Sequence, residues 1–400
     1  MRRVAVTGLG AVSALGVGVQ AFWDGLVGGR SGIRRIARFD PSAYLVQAAA
    51  EVPEFEPSDH FDAAQSDLLD RFAQFALVAA GEACRGAGLE LTDAERSRAG
   101  VAIGSGMGGV VTQDDRYHKL YAEGITRLHP FSIPRIMNNA AAAQVSMRWG
   151  LGGPTLSLAT ACAAAAHAIG EAAEMIRADR ADVMIAGGAE APIAPGVLRC
   201  WEAMRVLAPA SDGDPSRACR PFSRDRLGMV LGEGAGIVVL ESWDRAAARG
   251  TPILAELAGY AATSDAAHLT QPGVEAPARA LTIALDQARL APSDIDYVNA
   301  QTETAIIKRA FGPAARRLAI SSTKAAHGHA MGASAALELI ATVLAIRNGV
   351  VPPTLNYTQL DPECDLDYVP NNAREMPVRA AVSNSFAFGG LNAVLVVRAA

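Results

Sequence analysis

The residue best placed to do chemistry is Cys162, which lies in a run of small side chains. The apolar segment Thr155–Leu158 before it has the character of a buried strand, and the Ala-rich segment 163–177 after it has the character of a helix. This order places the thiol at a helix N-terminus, where free N–H groups and the helix dipole stabilise a thiolate. The same N–H groups can hydrogen-bond the oxyanion that forms when a thiol attacks a thioester. We therefore predict that Cys162 is a nucleophile that takes up an acyl group.

A second candidate segment contains Lys324 and His329, again in the order strand, small-residue loop and helix. Three pairs of residues are separated by 162 positions: Cys162 and Lys324, His167 and His329, Gly170 and Gly332. A repeat of this length indicates a duplicated α/β half rather than a solenoid. Because duplicated halves can bring equivalent turns together around a pseudo-twofold axis, we predict that His329 faces Cys162.

The third candidate is the segment 384–390, Asn-Ser-Phe-Ala-Phe-Gly-Gly. Two glycines after an aromatic residue indicate a mobile loop, which could gate a site. A backbone N–H from this loop could also join an oxyanion hole. An ordinary Gly-rich hairpin fits the same residues, so both interpretations stay open.

Short β-branched runs alternate with Ala-rich runs, which favours an α/β fold with sheets covered by helices. The predicted strands are 4–7, 102–104, 155–158, 182–186 and 236–240, then 253–258, 297–300, 318–322, 380–383 and 392–397. The segment 232–240 also resembles 389–397. We predict two halves, residues 1–250 with the nucleophilic Cys and residues 251–400 with the His/Lys block.

Composition and motif spacing exclude several other classes of function. Lys and Arg number 36 against 41 Asp and Glu, a balance that does not favour nucleic acid as a partner. The five cysteines include no CxxC, so neither a disulfide framework nor a metal site is expected. The motif Gly8-Leu9-Gly10 lacks the third glycine and the acidic strand end of a dinucleotide site. No uninterrupted apolar run reaches the roughly 20 residues of a membrane span, and we predict a cytoplasmic protein.

Motifs of one known family occur in order along essentially the whole chain. They lie at 6–10, 104–109, 133–135, 160–167, 186–190, 220–222, 232–236, 264–265, 324–338 and 388–390. In this ordered set the sequence resembles the elongating β-ketoacyl-acyl carrier protein synthases, the thiolase-fold condensing enzymes of type II fatty-acid and polyketide pathways. The resemblance implies a dimer, either of identical subunits or with a related subunit, of a five-layered αβαβα fold.

The resemblance also implies the reaction and its residues. An acyl chain moves from the phosphopantetheine arm of acyl carrier protein to Cys162, and malonyl-carrier protein then loses carbon dioxide and attacks the acyl-Cys. His329 matches the second His of a Cys-His-His triad. Lys324 and Glu338 match the ion pair that orders the site. Neither a cofactor nor a metal is implied.

Other matched positions concern the gate and the pocket. Phe388 matches the gating aromatic residue, with Gly389 beside it in the gate. The N–H groups of Phe388 and Cys162 match the oxyanion hole. Met107 and Trp201 fall, with Phe388, where the acyl pocket is lined. Both are bulky, so the expected pocket is short or opens on rearrangement.

Residues 297–303 depart from the family pattern. The family continues from Asn-Ala into His-Gly-Thr-x-Thr-x-x-x-Asp, whereas Ala300 is followed directly by Gln301-Thr302-Glu303. The absent block holds the first catalytic His, the Thr pair that binds the pantetheine arm, and the Asp. Gln301 is no replacement, because an amide cannot act as a base. Either the protein lacks this loop, or the sequence omits residues that the full protein has.

Three functions follow from this pattern. The first is a decarboxylating β-ketoacyl-carrier protein synthase. The second is a Cys-dependent acyltransferase on the same fold with weak or no decarboxylation, which the absent loop favours. The third is a non-catalytic partner subunit resembling a chain-length factor, against which the retained Cys162, Lys324 and His329 argue.

Overall fold

The structure is a computed structural model that describes residues 2–53, 55–209, 213–300 and 303–400. Its first strands are β1 (Val4–Ser13), β2 (Gly16–Val17), β3 (Arg34–Arg35), β4 (Ala48–Ala49), β5 (Ala99–Gly104), β6 (Thr155–Leu158), β7 (Val183–Glu190) and β8 (Gly234–Ser242). The later strands are β9 (Ala255–Ser264), β10 (Tyr297–Asn299), β11 (Ala319–Ser321), β12 (Val350–Val351), β13 (Arg374–Glu375), β14 (Ala380–Ala387) and β15 (Leu391–Arg398). Every predicted strand overlaps one of these.

The helices alternate with the strands along the chain. Those before β9 are α1 (Val19–Val27), α2 (Ala63–Ser66), α3 (Arg71–Gly86), α4 (Asp93–Arg96), α5 (Val110–Tyr121), α6 (Ser132–Ile136), α7 (Ala140–Trp149), α8 (Ala164–Arg177), α9 (Pro195–Ala203) and α10 (Trp243–Ala248). Those after β9 are α11 (Glu275–Ala288), α12 (Thr304–Phe311), α13 (Lys324–His327) and α14 (Ser334–Asn348).

The strand order confirms the predicted duplication. The large sheet runs β11-β10-β14-β15-β9-β1-β8-β7-β5-β6, with β2 added to β1. Read outward from the centre, both halves show the same sequence of antiparallel and parallel pairings. The halves meet where Ala5 and Val6 of β1 pair with Glu256 and Ala255 of β9. The connection from Ser242 to Ala255 contains α10, so the predicted boundary at 250–251 falls within it.

Helices cover the two halves of the sheet and also separate them. Helix α3 packs on β1, β8 and β7, and α11 packs on β9 and β15. Between the halves lie α8 and α14, which contact each other and strands of both halves. Both helices are buried over most of their length, since a sheet half covers them on each side. They are rich in Ala, and these small side chains let the helices approach both sheet halves. The arrangement is the predicted five-layered αβαβα fold.

The separation of 162 residues is wrong for the central helices. Helix α8 follows a 3₁₀ turn at Ala161–Ala163, and α14 follows one at Met331–Ala333, so the equivalent turns are 170 residues apart. Both turns begin at a residue with positive φ, 50° at Ala161 and 42° at Met331. The second half has a longer link between strand and helix, in which α13 forms. Lys324 belongs to this added helix, and the counterpart of Cys162 is Gly332.

The glycine pair at the start of the chain has a packing role. A Cβ on Gly8 or Gly10 would collide with the carbonyl oxygen of Ala83 or Ala79 in α3. Strand β1 therefore lies so close to α3 that only glycine fits at these two positions. Close packing explains the Gly8-Leu9-Gly10 motif, and a nucleotide-binding role is not needed to account for it.

One segment, Met331–Asn348, is long and apolar enough to cross a membrane. It comprises α14 with the preceding turn, and 78% of it is buried inside the protein, as expected of a core helix.

Candidate active site

Cys162 lies in the 3₁₀ turn that leads into α8, as the sequence predicted. The prediction of a stabilised thiolate is wrong for the free protein. Burial raises the pKa of Cys162 to about 11, and the charge of Glu190 adds to this. The charge of Lys324 and the N–H groups of Cys162 and Phe388 lower the pKa, but they do not outweigh burial. Cys162 is therefore a thiol at neutral pH.

His329 faces this thiol, as predicted. Its Nε2 lies 3.1 Å from Sγ of Cys162, and its Nδ1 lies 2.8 Å from Oγ of Ser334. Its backbone is held by the N–H···O bond to Val230 and by the N–H of Gly232. Burial, followed by the charge of Lys324, holds the pKa of His329 well below its usual value, so the imidazole is neutral. In the tautomer in which Ser334 donates to Nδ1, the Nε2–H points at the sulfur.

Lys324 and Glu338 form a buried ion pair beside these residues. Nζ of Lys324 donates to Oε1 of Glu338, and only 7% and 2% of the two side chains are exposed. Burial raises the pKa of Glu338, which the charge of Lys324 partly offsets. The pair supplies the positive charge that acts on Cys162 and His329.

His327 is also buried, but it does not contact Cys162. Its Nε2 lies 3.1 Å from Oγ1 of Thr323, and its ring packs against Phe22. Burial and the charge of Lys324 lower its pKa to about 3. All seven histidines lie in the described segments, and among them only His329 is within hydrogen-bond distance of Cys162.

Phe388 follows β14 in a hairpin whose other strand is β15. A hairpin is compatible with a role in an oxyanion hole, which stays a prediction. The backbone N–H of Phe388 acts on Cys162 and lowers the pKa of its thiol. The N–H of Gly389 is directed away, to the carbonyl oxygen of Leu269 at 2.7 Å. The rings of Phe388 and Trp201 lie 6.5 Å apart, between centroids.

An apolar cluster surrounds the thiol on the side of Trp201. Cys162 and Trp201 both pack against buried residues of this cluster, which include Ile193, Leu198, Leu207, Leu231 and Met331. The surroundings of the thiol on this side are therefore apolar. Met107 is half-buried, and its hydrogen bond to the site runs through its backbone N–H to Glu190.

Two family models match the chain in sequence. The description "Beta-ketoacyl synthase, N-terminal domain" fits residues 1–246, and "Beta-ketoacyl synthase, C-terminal domain" fits residues 254–358. The chain belongs to the beta-ketoacyl synthase family. Its relatives are transferase-class condensing enzymes.

Curated relatives match over almost the full length. Nodulation protein E of Rhizobium meliloti (strain 1021) is 45% identical over 406 residues, which cover 99% of each chain. The 3-oxoacyl-[acyl-carrier-protein] synthase 2 of Staphylococcus aureus (strain N315) is 42% identical over 408 residues, covering 99% of this chain and 98% of that protein. Both alignments are longer than the 400 residues of this chain. The relatives therefore hold residues that have no counterpart here.

Solved structures of similar proteins share the whole fold. The ishigamide ketosynthase/chain length factor has a TM-score of 0.93 and 36% identity, with 100% of this chain and 99% of that chain covered. A type II polyketide acyl-carrier protein in complex with its ketosynthase, bound to the hexaketide, has a TM-score of 0.91 and 34% identity. The alignment covers 100% of this chain and 99% of that chain. A beta-ketoacyl synthase of Burkholderia phymatum STM815 has a TM-score of 0.92 and 34% identity, with 100% of both chains covered.

The departure from the family pattern lies at one edge of this site. Strand β10 ends at Asn299 and α12 begins at Thr304. Gln301 and Thr302, on which the sequence prediction centred, lie outside the described residues. Asn299 itself is buried, and its amide reaches the carbonyl oxygen of Glu338 at 3.4 Å. The connection that departs from the family pattern therefore starts next to the backbone of Glu338.

Sequence reasoning missed two residues of this ketosynthase site, Ser334 and Glu190. Ser334 is the first residue of α14 and orients His329. Glu190 ends the buried strand β7 and accepts hydrogen bonds from two turns next to Cys162. The available signal was an acidic residue that directly ends an apolar strand, which the sequence analysis used only as part of a family motif.

Proposed function

We propose that this condensing enzyme joins an acyl group held on Cys162 to a malonyl group on acyl carrier protein, with loss of carbon dioxide. The observation that carries the proposal is the contact of 3.1 Å between Nε2 of His329 and Sγ of Cys162. Cys162 lies in the turn before α8, and the backbone N–H of Phe388 lowers the pKa of its thiol. A nucleophile, a neutral imidazole and a backbone donor thus meet at one point.

Acyl transfer needs the thiol and the backbone donors. Sγ of Cys162 attacks the carbonyl carbon of the acyl thioester, and the carrier thiol leaves with the proton that Cys162 gives up. The N–H groups of Cys162 and Phe388 stabilise the oxyanion of the intermediate. Because these donors are held by the turn and the hairpin, they are oriented before the substrate binds.

Decarboxylation places a different demand on the site. When the malonyl thioester loses carbon dioxide, negative charge develops on its carbonyl oxygen, and the Nε2–H of His329 can donate to it. The resulting carbanion attacks the acyl carbonyl and releases Cys162 as a thiolate, which takes up a proton from solvent to restore the thiol. Loss of one donor to such an oxygen typically costs about 100- to 1000-fold in rate. Of the seven histidines, only His329 lies within hydrogen-bond distance of Cys162, so one imidazole donor is available where the family pattern has two. An acyltransferase with weak decarboxylation is therefore the second candidate.

A non-catalytic subunit of the chain-length-factor kind is the third candidate. It has the least support, because Cys162, His329 and the buried pair Lys324–Glu338 are assembled with hydrogen-bonding geometry. A subunit that only shapes the pocket of another has no need of this arrangement.

We infer that the partners are acyl carrier protein, with acyl and malonyl groups on its phosphopantetheine arm, and a second ketosynthase-like subunit. One similar structure is a carrier protein complex, and another is a ketosynthase/chain length factor. Strand β6 ends the sheet order, its Thr155 and Leu156 are exposed, and a free edge of this kind favours pairing with another chain. Exposed apolar Ile133 and Met137 lead toward Asn138, whose carbonyl oxygen accepts from Ser157 of β6. Both a homodimer and a heterodimer fit this edge.

The remaining parts of the proposal follow from the reaction. The steps use only thiol, imidazole and backbone groups, so no metal or cofactor is required. We infer a cytoplasmic enzyme of fatty-acid or polyketide synthesis.

The decisive experiment is incubation with acyl-carrier protein, followed by intact mass measurement. We expect a gain of one acyl mass that Cys162→Ala abolishes and that Cys200→Ala, at an exposed free cysteine, leaves intact. Absence of the gain in the unaltered protein would contradict both enzyme candidates. Release of carbon dioxide from malonyl-carrier protein then separates the first candidate from the second. Insertion of a His-Gly-Thr loop after Ala300 should raise that release if the loop is truly absent.

A further inference from the structure

Glu190 is a buried carboxylate at the centre of the site that the steps above do not use. It is the last residue of β7 and is fully buried. Its Oε1 accepts from Oγ of Ser105 at 2.9 Å and from the N–H of Met107 at 3.2 Å. Its Oε2 accepts from the N–H of Gly106 at 2.5 Å and of Gly332 at 3.0 Å. Four donors therefore converge on one side chain.

The two glycines make this approach possible. A Cβ on Gly106 would lie 3.1 Å from Oε2 of Glu190, and a Cβ on Gly332 would lie 2.6 Å from it. Neither glycine has a positive φ, so the requirement is for space around the carboxylate and not for an unusual backbone. The site is shaped to receive a carboxylate at this point.

The turns that Glu190 holds carry other parts of the site. The turn Met331–Ala333 lies between His329 and Ser334, the residue that fixes the imidazole orientation. Met331 in this turn also belongs to the apolar cluster against which Cys162 packs. The hydrogen bond from the N–H of Gly332 to Glu190 thus links this turn to the end of β7. Through the turn it links both His329 and the apolar cluster to that strand.

The donor set defines the charge of Glu190. Oγ of Ser105 accepts from the N–H of Gly108, so its proton is directed to Glu190. All four contacts then offer hydrogens, and a protonated carboxyl would place its own hydrogen against one of them. None of these hydrogen-bond partners is a Lys or Arg. Burial raises the pKa of Glu190 to about 7, against the effect of the four donors.

The charge acts on the thiol. Among the ionisable groups that influence Cys162, Lys324 lowers its pKa and Glu190 raises it. Glu338 compensates Lys324 directly, while the charge of Glu190 is compensated only by N–H and O–H dipoles. His329 is neutral and adds no charge.

We propose that Glu190 is an anionic positioning residue, which holds the turn that orients His329 and whose charge adds to burial in disfavouring the thiolate of Cys162. The positioning role rests on the proposed function. The effect on the thiol does not, because it concerns the free protein.

The test compares Glu190→Gln, which removes the charge, with Glu190→Asp, which keeps it on a shorter side chain. Alkylation of Cys162 by iodoacetamide at pH 8 is followed by mass spectrometry, with Cys162→Ala as background. We expect Glu190→Gln to alkylate faster than the unaltered protein, by clearly more than the about twofold range within which Glu190→Asp should stay, because only Glu190→Gln removes a charge that raises the pKa of Cys162. Acyl loading should fall in both variants, since each disturbs the four-donor contact.

Each outcome decides the matter. Equal alkylation rates in Glu190→Gln and the unaltered protein would overturn the charge effect, even if loading is lost. Normal loading in both variants would overturn the positioning role. Ser105→Ala is a third variant, which removes one donor and keeps the charge. If Glu190→Gln, Glu190→Asp and Ser105→Ala all fail to fold, Glu190 only stabilises the structure. If the unaltered protein takes up no acyl group, the proposed function fails while the alkylation comparison still stands.

Discussion

Removing the charge of Lys324 should destabilise the protein more than any surface ion pair can. Lys324→Met leaves Glu338 in a site where only 2% of its side chain is exposed, so water cannot replace the ammonium group. Breaking a buried pair on one side typically costs about 3–5 kcal/mol of unfolding free energy. The pKa of Glu338 is already raised by burial, so the orphaned carboxyl gains a proton as the pH falls. The cost should therefore be larger at pH 8 than at pH 5.

Urea unfolding followed by circular dichroism measures this cost at each pH. The double variant Lys324→Met/Glu338→Leu removes both charges and should recover most of the lost stability, because replacing a whole buried pair by apolar groups is often neutral. Arg309→Met is the matched control. Its partner is Glu275, and 61% and 77% of the two side chains are exposed, so the midpoint should hardly move.

Two results would refute this reasoning. The double variant could be as unstable as Lys324→Met, in which case packing rather than an unpaired charge sets the cost. Alternatively, the loss could be the same at pH 8 and pH 5, in which case Glu338 is not the group left uncompensated.

Three further predictions concern other parts of the protein. Because burial raises the pKa of Cys162 to about 11, its alkylation rate should climb steadily between pH 7 and pH 9, and a plateau in that range would contradict the assignment. Gly332→Ala should reduce acyl loading, since the new Cβ meets the carboxylate at 2.6 Å, whereas Gly86→Ala meets nothing within 4 Å and should load normally. Burial raises the pKa of Glu256, but hydrogen bonds from two arginines lower it overall, so its stabilisation is present above the unfolded pKa and is lost in acid. Glu256→Gln should accordingly lower the thermal midpoint at pH 7 and have little effect at pH 3; equal shifts at both would argue against it.

The sequence predicted the strands, the helix start at Cys162 and the meeting of Cys162 with His329. These depend on local patterns, β-branched runs and Ala-rich helices, and on the symmetry of duplicated halves. The separation of 162 residues was nevertheless wrong, because Ala and Gly recur so often that several registers match. The 3₁₀ turns before α8 and α14, each beginning at a residue with positive φ, show which turns are equivalent.

The electrostatic state of the site was beyond sequence reasoning. Proximity to a helix start predicted an ionised Cys162, yet burial by residues distant along the chain, such as Leu198 and Leu231, dominates its pKa. The role of Glu190 likewise depends on turns at 105–108 and 331–333 that meet only in the folded chain. Neither contact leaves a local pattern.

The paired turns also limit the number of nucleophiles that one chain can hold. In the structural register, Gly332 stands where Cys162 stands in the other half, so the symmetric frame offers two equivalent places for a nucleophile. A side chain at 332 would collide with the backbone of Gly106 and with Glu190. The frame therefore accepts a side chain at 162 but not at 332. With Cys162 as the proposed nucleophile, each chain would carry one acyl group rather than two.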